Sequence, residues 1–184
     1  YSHWNAAESL ADWLKREHVP GITGIDTREL TKVLREHGVM MGKIVFDDEP
    51  DNIPEATYAG VNYVDKVSCK EVIRYNEGEG KKKVVLVDCG VKANIIRCLL
   101  KRDVEIIRVP WDYDFNNLQF DGLFISNGPG DPDTCDAAVQ NIRKAMQNEK
   151  LPIFGICMGN QLLSKAGGAK IYKLKYGHRS HNQP

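Results

Sequence analysis

Cys157 stands in a sequence pattern that suits covalent chemistry. It is the middle residue of G-I-C-M-G at 155–159, after an apolar segment at 153–156 and before a helix-forming segment that begins at Met158. Between a strand and a helix, this pattern is the thiol version of the nucleophile elbow, in which a sharp, strained turn holds the side chain above a sheet. The helix N-terminus would also stabilise a thiolate. The pattern therefore predicts a nucleophile that can attack a carbonyl carbon.

The two glycines beside Cys157 also have an explanation that needs no catalysis. A side chain at Gly155 or Gly159 would collide where the strand and the helix approach closely. In that interpretation Cys157 is a small buried residue between two packing glycines. The predicted strand before it and the predicted helix after it favour the nucleophile.

A second loop offers groups that such an attack needs. Residues 127–132 read N-G-P-G-D-P, and Gly128 and Gly130 can turn backbone N–H groups towards a ligand. An amide carbonyl attacked by sulfur becomes an oxyanion, and each N–H donor that meets it can lower the barrier by about 3 kcal/mol. We expect one donor from this loop and one from Met158. A plain Gly/Pro turn is the alternative; a phosphate loop is excluded because the G-x-x-x-x-G-K pattern is missing.

The other four cysteines fit the nucleophile role less well. Cys89 also follows an apolar segment but has no upstream glycine, and Cys98 falls inside a predicted apolar helix, where it would be a core residue. Cys69 and Cys135 have no supporting context. The cysteine count is odd and no C-x-x-C pair occurs, so neither a disulfide framework nor a metal site is predicted. Free thiols are typical of a reducing, cytoplasmic setting.

The elements that must position these residues alternate between strands and helices. Apolar segments predict strands at 84–87, 104–109, 123–126 and 153–156, and helices are predicted at 93–101, 137–148 and 158–166. This alternation favours an α/β domain with a doubly wound, mostly parallel sheet covered on both faces. Chemistry in such sheets lies at the carboxyl ends of the strands. Three strand ends are therefore of interest, namely 88–90, 126–132 and 155–159.

The first part of the chain has a different pattern. Asn5 with Glu8 predicts one capped helix, and Asp26 with Glu29 predicts a second that ends at Gly38. Further strands are expected at 41–46 and 69–75, followed by a linker at 76–80. We therefore place a domain boundary between residues 76 and 77.

Composition excludes several classes of function. The chain of 184 residues has 25 basic and 25 acidic residues, so no overall field attracts nucleic acid. No apolar stretch reaches the roughly 18 residues of a membrane helix, and the first 20 residues lack a signal pattern. We expect a cytoplasmic protein that binds neither nucleic acid nor a membrane.

Together these residues resemble the small, glutamine-hydrolysing chains of the carbamoyl-phosphate synthases, a family of class I (triad-type) glutamine amidotransferases. The resemblance rests on S-N-G-P-G-D-P at 126–132 and F-G-I-C-M-G-N-Q at 154–161. Narrower similarity lies in V-P-G-I-T-G-I-D-T-R-E-L at 19–30, V-D-C-G-V-K-A-N-I at 87–95 and K-Y-G-H-R at 175–179. It covers essentially the whole chain. It implies a flavodoxin-like core preceded by part of a smaller N-terminal α/β domain.

The resemblance also implies a role for each candidate site residue. Cys157 would form a γ-glutamyl thioester and release ammonia. Backbone groups of Gly128, Gly130 and Met158 would line the glutamine and oxyanion site. Gln161 would hold the polar end of the substrate. Residues 1–76 would be the C-terminal part of the N-terminal domain with a linker, and residues 77–184 the N-terminal portion of the amidotransferase domain.

Partners follow from the same resemblance. Glutamine would be the substrate, and ammonia would pass to a large ATP-dependent synthetase chain that makes carbamoyl phosphate for arginine or pyrimidine synthesis. The two chains would form a heterodimer. No cofactor is expected in this chain, because ATP and Mg²⁺ would bind to the large partner chain.

The sequence departs from the family at its end, and other functions stay open. Residues 180–184 read S-H-N-Q-P where the family has G-G-N-H-P. The resemblance places the catalytic histidine and its orienting glutamate beyond residue 184, so residues 1–184 alone are expected to be inactive. His178 and His181 are the alternative bases within the sequence. A non-catalytic docking or regulatory subunit and an elbow-cysteine hydrolase of the γ-glutamyl hydrolase type are the competing interpretations.

Overall fold

The fold is seen in a computed structural model that describes residues 3–45, 58–175 and 177. The chain divides into two units, one made of Tyr1–Gly42 with Lys173–Pro184 and the other of Lys43–Tyr172. No helix in the described part of the chain is long and apolar enough to cross a membrane.

The larger unit is built on a five-stranded sheet. Its strands are β1 (Ile73–Tyr75), β2 (Lys82–Asp88), β3 (Val104–Pro110), β4 (Gly122–Ile125) and β5 (Ile153–Gly155), in the order β1-β3-β2-β4-β5. The last four strands in the chain are parallel to their neighbours, and β1 pairs antiparallel with the edge of β3. The predicted mostly parallel α/β sheet is confirmed.

Helices cover both faces of this sheet. They are α3 (Tyr63–Val67), α4 (Ala93–Leu100), α5 (Asp136–Ala145) and α6 (Met158–Ala166). Leu86 and Ile106 face α4, where they cluster with Ile96. Val85 and Val87 belong to the larger core on the other face, which α5 and α6 cover. Successive residues of β2 therefore point to opposite helical layers, as a central strand of a doubly wound sheet requires.

Several predicted bounds differ from the observed elements. The helix predicted at 137–148 ends at Ala145, and only Ile73–Tyr75 of the predicted segment 69–75 forms a strand. Residues 41–45 form no strand, and the last residue of that predicted strand lies outside the described residues. Cys98 is exposed on α4 rather than buried in the core, so that prediction is wrong. Its neighbour Ile96 supplies the buried contact instead.

The smaller unit contains two helices, α1 (Leu10–Arg16) and α2 (Thr27–His37). The predicted cap of α1 at Asn5 is wrong, because Ser9 caps the helix by accepting a hydrogen bond from the N–H of Asp12. The predicted start of α2 is confirmed, since Asp26 accepts from the first-turn N–H groups. Neither helix contains a buried residue, and residues 3–42 include no strand. The domain boundary at residues 76 and 77 stays a prediction.

Candidate active site

The turn between β5 and α6 has the geometry of a nucleophile elbow. Cys157 lies between Gly155, the last residue of β5, and Met158, the first residue of α6. Its backbone has φ +52° and ψ −108°, a conformation that L-residues adopt only when the surrounding structure enforces it. The side chain is exposed. The predicted strand, strained turn and helix are therefore confirmed.

Backbone hydrogen bonds enforce this turn. The N–H of Ile156 donates to the carbonyl of Ile125 on β4 at 3.0 Å, and the N–H of Gly159 donates back to Ile156 at 2.9 Å. The N–H of Gln161 donates to the carbonyl of Cys157 at 3.1 Å. The residues on both sides of Cys157 are thus fixed by their neighbours, while its thiol faces outwards.

The flanking glycines are required by close backbone packing. A Cβ built on Gly155 would lie 2.5 Å from the carbonyl carbon of Gly159, and a Cβ on Gly159 would overlap the carbonyl oxygen of Ile125. The packing role predicted for both glycines is confirmed. The alternative that Cys157 is merely a buried residue between them is wrong, because its side chain is exposed.

The loop after β4 leaves the sheet beside this elbow. Ile125 pairs with Gly155 in the parallel ladder, so residues 126–132 and Cys157 follow neighbouring strands at the same edge of the sheet. Gly130 has φ +89°, which favours glycine. A Cβ on Gly128 would overlap the carbonyl oxygen of Cys89. Both glycines predicted to line the site are therefore needed for the path of this loop.

Side chains tie the start of this loop to the turn after β2. The hydroxyl of Ser126, which is fully buried, accepts from the N–H of Cys89 and donates to the carbonyl of Asn127, both at 2.9 Å. The side-chain amide of Asn127 donates to the carbonyl of Gly90 at 3.2 Å. The loop is thereby fixed in the crevice where the strand order reverses, the usual ligand-binding position in an open α/β sheet.

Asp88 organises the turn after β2. Its buried carboxylate accepts from the backbone N–H groups of Cys69, Gly90 and Val91 at 2.8–2.9 Å. It also pairs with the guanidinium of Arg108 at 2.6 Å. Burial acts to raise the pKa of Asp88, but the three N–H donors and the guanidinium outweigh it and hold the pKa below its ordinary value.

Segment 62–68 is a neighbour of the loop that the sequence reading missed. The side-chain amide of Asn62 donates to the carbonyl of Thr134 at 3.0 Å. A Cβ on Gly130 would lie 3.2 Å from the Cβ of Tyr63, and Val64 is buried in the core. The five-residue α3 is too short for a helical period to show, although its cap, Asn62 accepting from the N–H of Asp65, was readable.

The five cysteines differ in exposure: two are exposed, and three are fully or partly buried. Burial raises the pKa of Cys69 to about 11, and it also raises the pKa of Cys89 and of Cys135, so these thiols stay protonated. Cys98 and Cys157 are exposed. Of these two, Cys157 alone lies at a strained turn at the carboxyl edge of the sheet.

The remaining predicted site residues lie on α6. The side chain of Met158 is buried, so this residue can offer a ligand only its backbone; as the first helical residue, its N–H has no acceptor within the helix. Gln161 is exposed and lies near the start of α6, four residues after Cys157. His178 and His181 lie outside the described residues.

A surface cavity of about 710 Å³ lies elsewhere, at the amino ends of β4 and β5. Leu118, Phe120 and Leu151 line it together with several amide side chains. Its lining contains no cysteine, histidine or carboxylate, so the elbow and the loop after β4 are the better candidate for chemistry.

Two families match different parts of this chain. Residues 85–184 match the family described as "Glutamine amidotransferase class-I", and residues 1–44 match "Carbamoyl-phosphate synthase small chain, CPSase domain". The chain belongs to the class I glutamine amidotransferase family. The resemblance predicted from the sequence motifs is confirmed.

Among curated proteins, the chain is similar to carbamoyl-phosphate synthase small chains. It is 48% identical over its whole length to the "Carbamoyl phosphate synthase arginine-specific small chain" of Saccharomyces cerevisiae, covering 46% of that protein. It is 46% identical to the "Carbamoyl phosphate synthase small chain" of Pyrococcus furiosus, covering 52%. It is 50% identical to the "Multifunctional protein CAD" of Squalus acanthias, covering 8%. The chain thus spans about half the length of the small chains that it matches.

Proposed function

We propose that this chain is the glutamine-hydrolysing part of a carbamoyl-phosphate synthase. The observation that carries the proposal is the exposed Cys157 at a strained turn, φ +52°, beside the glycine loop of the neighbouring strand. The family match and the names of the relatives support the same function.

In the proposed reaction, the thiol of Cys157 gives its proton to a general base, and the sulfur attacks the side-chain amide carbon of glutamine. The S–C bond forms as electrons move to the carbonyl oxygen, whose negative charge is met by the N–H of Met158 and by N–H groups of the loop at Gly128 and Gly130. The C–N bond then breaks, and ammonia leaves with the proton that the same group, now acting as a general acid, returns to the nitrogen. Water hydrolyses the thioester, giving glutamate and the free thiol. Gln161 holds the polar end of glutamine.

Ammonia is then consumed by a second active site. We propose that this site lies on a large synthetase chain, and that ATP and Mg²⁺ bind there. The two chains form a heterodimer in the cytoplasm. The support is the match of residues 1–44 to the small-chain family and the names of the relatives.

Labelling with a glutamine analogue tests the chemistry. The full-length protein that carries this chain is treated with a diazoketone analogue of glutamine, and modified cysteines are mapped by mass spectrometry. Selective modification of Cys157, blocked by excess glutamine, is expected. Cys98 is the internal control, because it is also exposed but lies on α4 with no elbow.

Three outcomes would contradict the proposal. Modification of Cys157 and Cys98 at equal rates would mean that exposure alone decides reactivity. Modification of neither would favour the non-catalytic docking subunit. Hydrolysis of γ-glutamyl peptides in preference to glutamine would favour the γ-glutamyl hydrolase type of enzyme.

A further inference from the structure

Lys165 connects the elbow helix to the segment that follows the glycine loop. It lies on α6, eight residues after Cys157, and its side chain is only 18% exposed. Its ammonium is 2.7 Å from the carboxylate of Asp133 and 3.6 Å from that of Asp136. It also donates to the carbonyl of Pro132 at 3.4 Å. One side chain on the nucleophile's helix thus holds three groups in the five residues 132–136.

The segment that Lys165 holds is continuous with the candidate oxyanion loop. Asp133 lies in the 3₁₀ turn Pro132–Thr134, which begins two residues after Gly130. Asp131 caps that turn by accepting from the N–H of Asp133 at 2.9 Å. A shift of the turn would therefore be transmitted directly to the loop.

The other end of the connection is fixed as well. Arg143 of α5 donates to the carbonyl of Ala166 at 3.1 Å and to that of Lys165 at 3.3 Å. The carbonyl of Ala166 is one that a helix leaves open at its C-terminus, and that of Lys165 also accepts from the N–H of Gly168 at 3.0 Å. The C-terminal end of α6 is therefore held against α5, so Lys165 extends from an anchored helix towards the turn.

Two carboxylates, those of Asp133 and Asp136, lie near the ammonium of Lys165, whereas a typical surface ion pair has one. Burial acts to lower the pKa of Lys165, but the hydrogen bond to Asp133 and the charges of Asp133 and Asp136 outweigh it, so the pKa is raised. Exposed ion pairs contribute little because water screens them. Lys165 is mostly shielded from water, whereas the side chains of Asp133 and Asp136 are 66% and 81% exposed, so two carboxylates rather than deep burial of the pair hold its ammonium.

We propose that Lys165 is a positioning residue, whose ion pair with Asp133 keeps the loop at Gly128–Gly130 in register with the thiol of Cys157. The inference rests on the proposed glutaminase function, because the loop matters for catalysis only if it receives the oxyanion. Donors must lie within about 3 Å of that oxygen, and a misplacement of about 1 Å can cost about 100-fold in rate.

The test compares two lysine variants in the full-length protein. Lys165→Met removes the ammonium and keeps an apolar stem of similar length. Lys144→Met is the matched control, because Lys144 of α5 makes a similar bridge at 2.9 Å to Asp114, the cap of the 3₁₀ turn Phe115–Asn117. Lys165→Arg tests for rescue by a second cation.

Two reagents then separate positioning from a general loss of structure. The glutamine analogue needs the loop, whereas iodoacetamide needs only an exposed thiol. In Lys165→Met, we expect Cys157 to react about 10- to 100-fold more slowly with the analogue and within about twofold of wild type with iodoacetamide. Lys144→Met should match wild type with both reagents, and Lys165→Arg should recover most of the lost rate.

Asp133→Asn should reproduce part of the effect, and it should add little to Lys165→Met because the two changes remove the same bond. An equal fall with both reagents in Lys165→Met would mean that the elbow itself is disturbed, and would overturn the inference. So would an unchanged rate with the analogue.

Hydrogen exchange keeps the inference testable if the proposed function fails. If glutamine does not protect Cys157 in wild type, the proposed function is wrong, and amide exchange at 128–134 then decides whether the tether exists. Faster exchange there in Lys165→Met than in Lys144→Met sustains the positioning of the loop. Equal exchange in the two variants overturns it.

Discussion

Two strand-to-helix turns in this molecule each carry a cysteine, and they differ in almost every other respect. In the turn from β2 to α4, Cys89 is fully buried and its N–H donates to the hydroxyl of Ser126. In the turn from β5 to α6, Cys157 is exposed and has φ +52°. Both turns follow the carboxyl ends of parallel strands in the same sheet.

The last strand residue explains the difference. β2 ends at Asp88, whose carboxylate occupies the N–H groups of Gly90 and Val91. β5 ends at Gly155, which has no side chain to occupy the N–H groups of the turn that follows. The first turn therefore satisfies its own donors and supports the neighbouring loop, whereas in the second turn the N–H of Met158, the first residue of α6, has no acceptor within that helix. The two turns therefore differ in whether a side chain at the end of the strand accepts from the backbone N–H groups that follow it.

Exchange of the two cysteines for alanine should give opposite results, and this is the largest effect that we expect. Cys157→Ala should lower glutaminase turnover of the full-length protein by at least about 10³-fold, because the nucleophile is lost. Cys89→Ala should retain turnover and lower the free energy of unfolding by about 1–2 kcal/mol, because a buried sulfur leaves a cavity. Turnover and denaturant unfolding measure the two effects, and loss of turnover in Cys89→Ala alone would reverse the assignment.

The close approach in the second turn should make Gly159→Ala strongly destabilising. The new Cβ would overlap the carbonyl oxygen of Ile125, so either β4 or α6 must move. We expect a loss of about 3 kcal/mol in the free energy of unfolding. Gly167→Ala is the control at the other end of α6, because its Cβ would meet no atom closer than 3.5 Å and its φ is −74°. Similar losses in both variants would argue against a specific close contact.

The carboxylate in the first turn should make stability depend on pH. The folded-state pKa of Asp88 is lowered, so its contribution is present above the ordinary value of about 3.9 and is lost as the pH falls through the folded pKa. Asp88→Asn should therefore cost about 3 kcal/mol at pH 7, because it leaves Arg108 without its counter-charge, and less at pH 3.

Denaturant unfolding at pH 7, 5 and 3 checks this dependence. Asp103→Asn is the control, because Asp103 forms an exposed pair with Lys81, and this variant should change stability by less than about 1 kcal/mol. A cost of Asp88→Asn that is the same at all three pH values would contradict the prediction.

The strain at the second turn predicts the smallest effect. Cys157→Gly should be about 1 kcal/mol more stable than Cys157→Ala, since relief of φ +52° gains about 1–3 kcal/mol and the greater entropy of the unfolded glycine offsets part of it. The midpoints of thermal unfolding of the two variants report the difference. Equal midpoints would show that the turn stores no strain.

Secondary structure was predicted best where an apolar pattern extended over enough residues to be recognised. The four parallel strands and the helices α4 and α6 were predicted within about two residues, because each has a continuous apolar run or face. The early end of α5 and the short β1 could not be predicted, since tertiary contacts rather than local propensity set element ends. The exposure of Cys98 was missed because its helix buries a different face.

The candidate site also has a part that local sequence predicts and a part that it does not. The elbow could be predicted because its two glycines and its cysteine lie within five residues. The support from Asn62 and Tyr63 could not, because these residues lie tens of positions away from the groups that they contact. The link between Lys165 and Asp133 spans 32 residues and depends on how α6 crosses the 3₁₀ turn. Such contacts have no local signature.

The contacts of α3 and β1 bear on how such a domain can be transferred between genes. A recombination joint at residue 77 would leave behind β1, which pairs with the outer edge of β3, and also Tyr63 and Asn62, which lie against the loop at Gly130 and Thr134. The inherited segment would keep Cys157 and lose the residues that pack against Gly130 and Thr134. A joint before residue 62 would transfer Cys157 together with Asn62, Tyr63 and β1 as one segment.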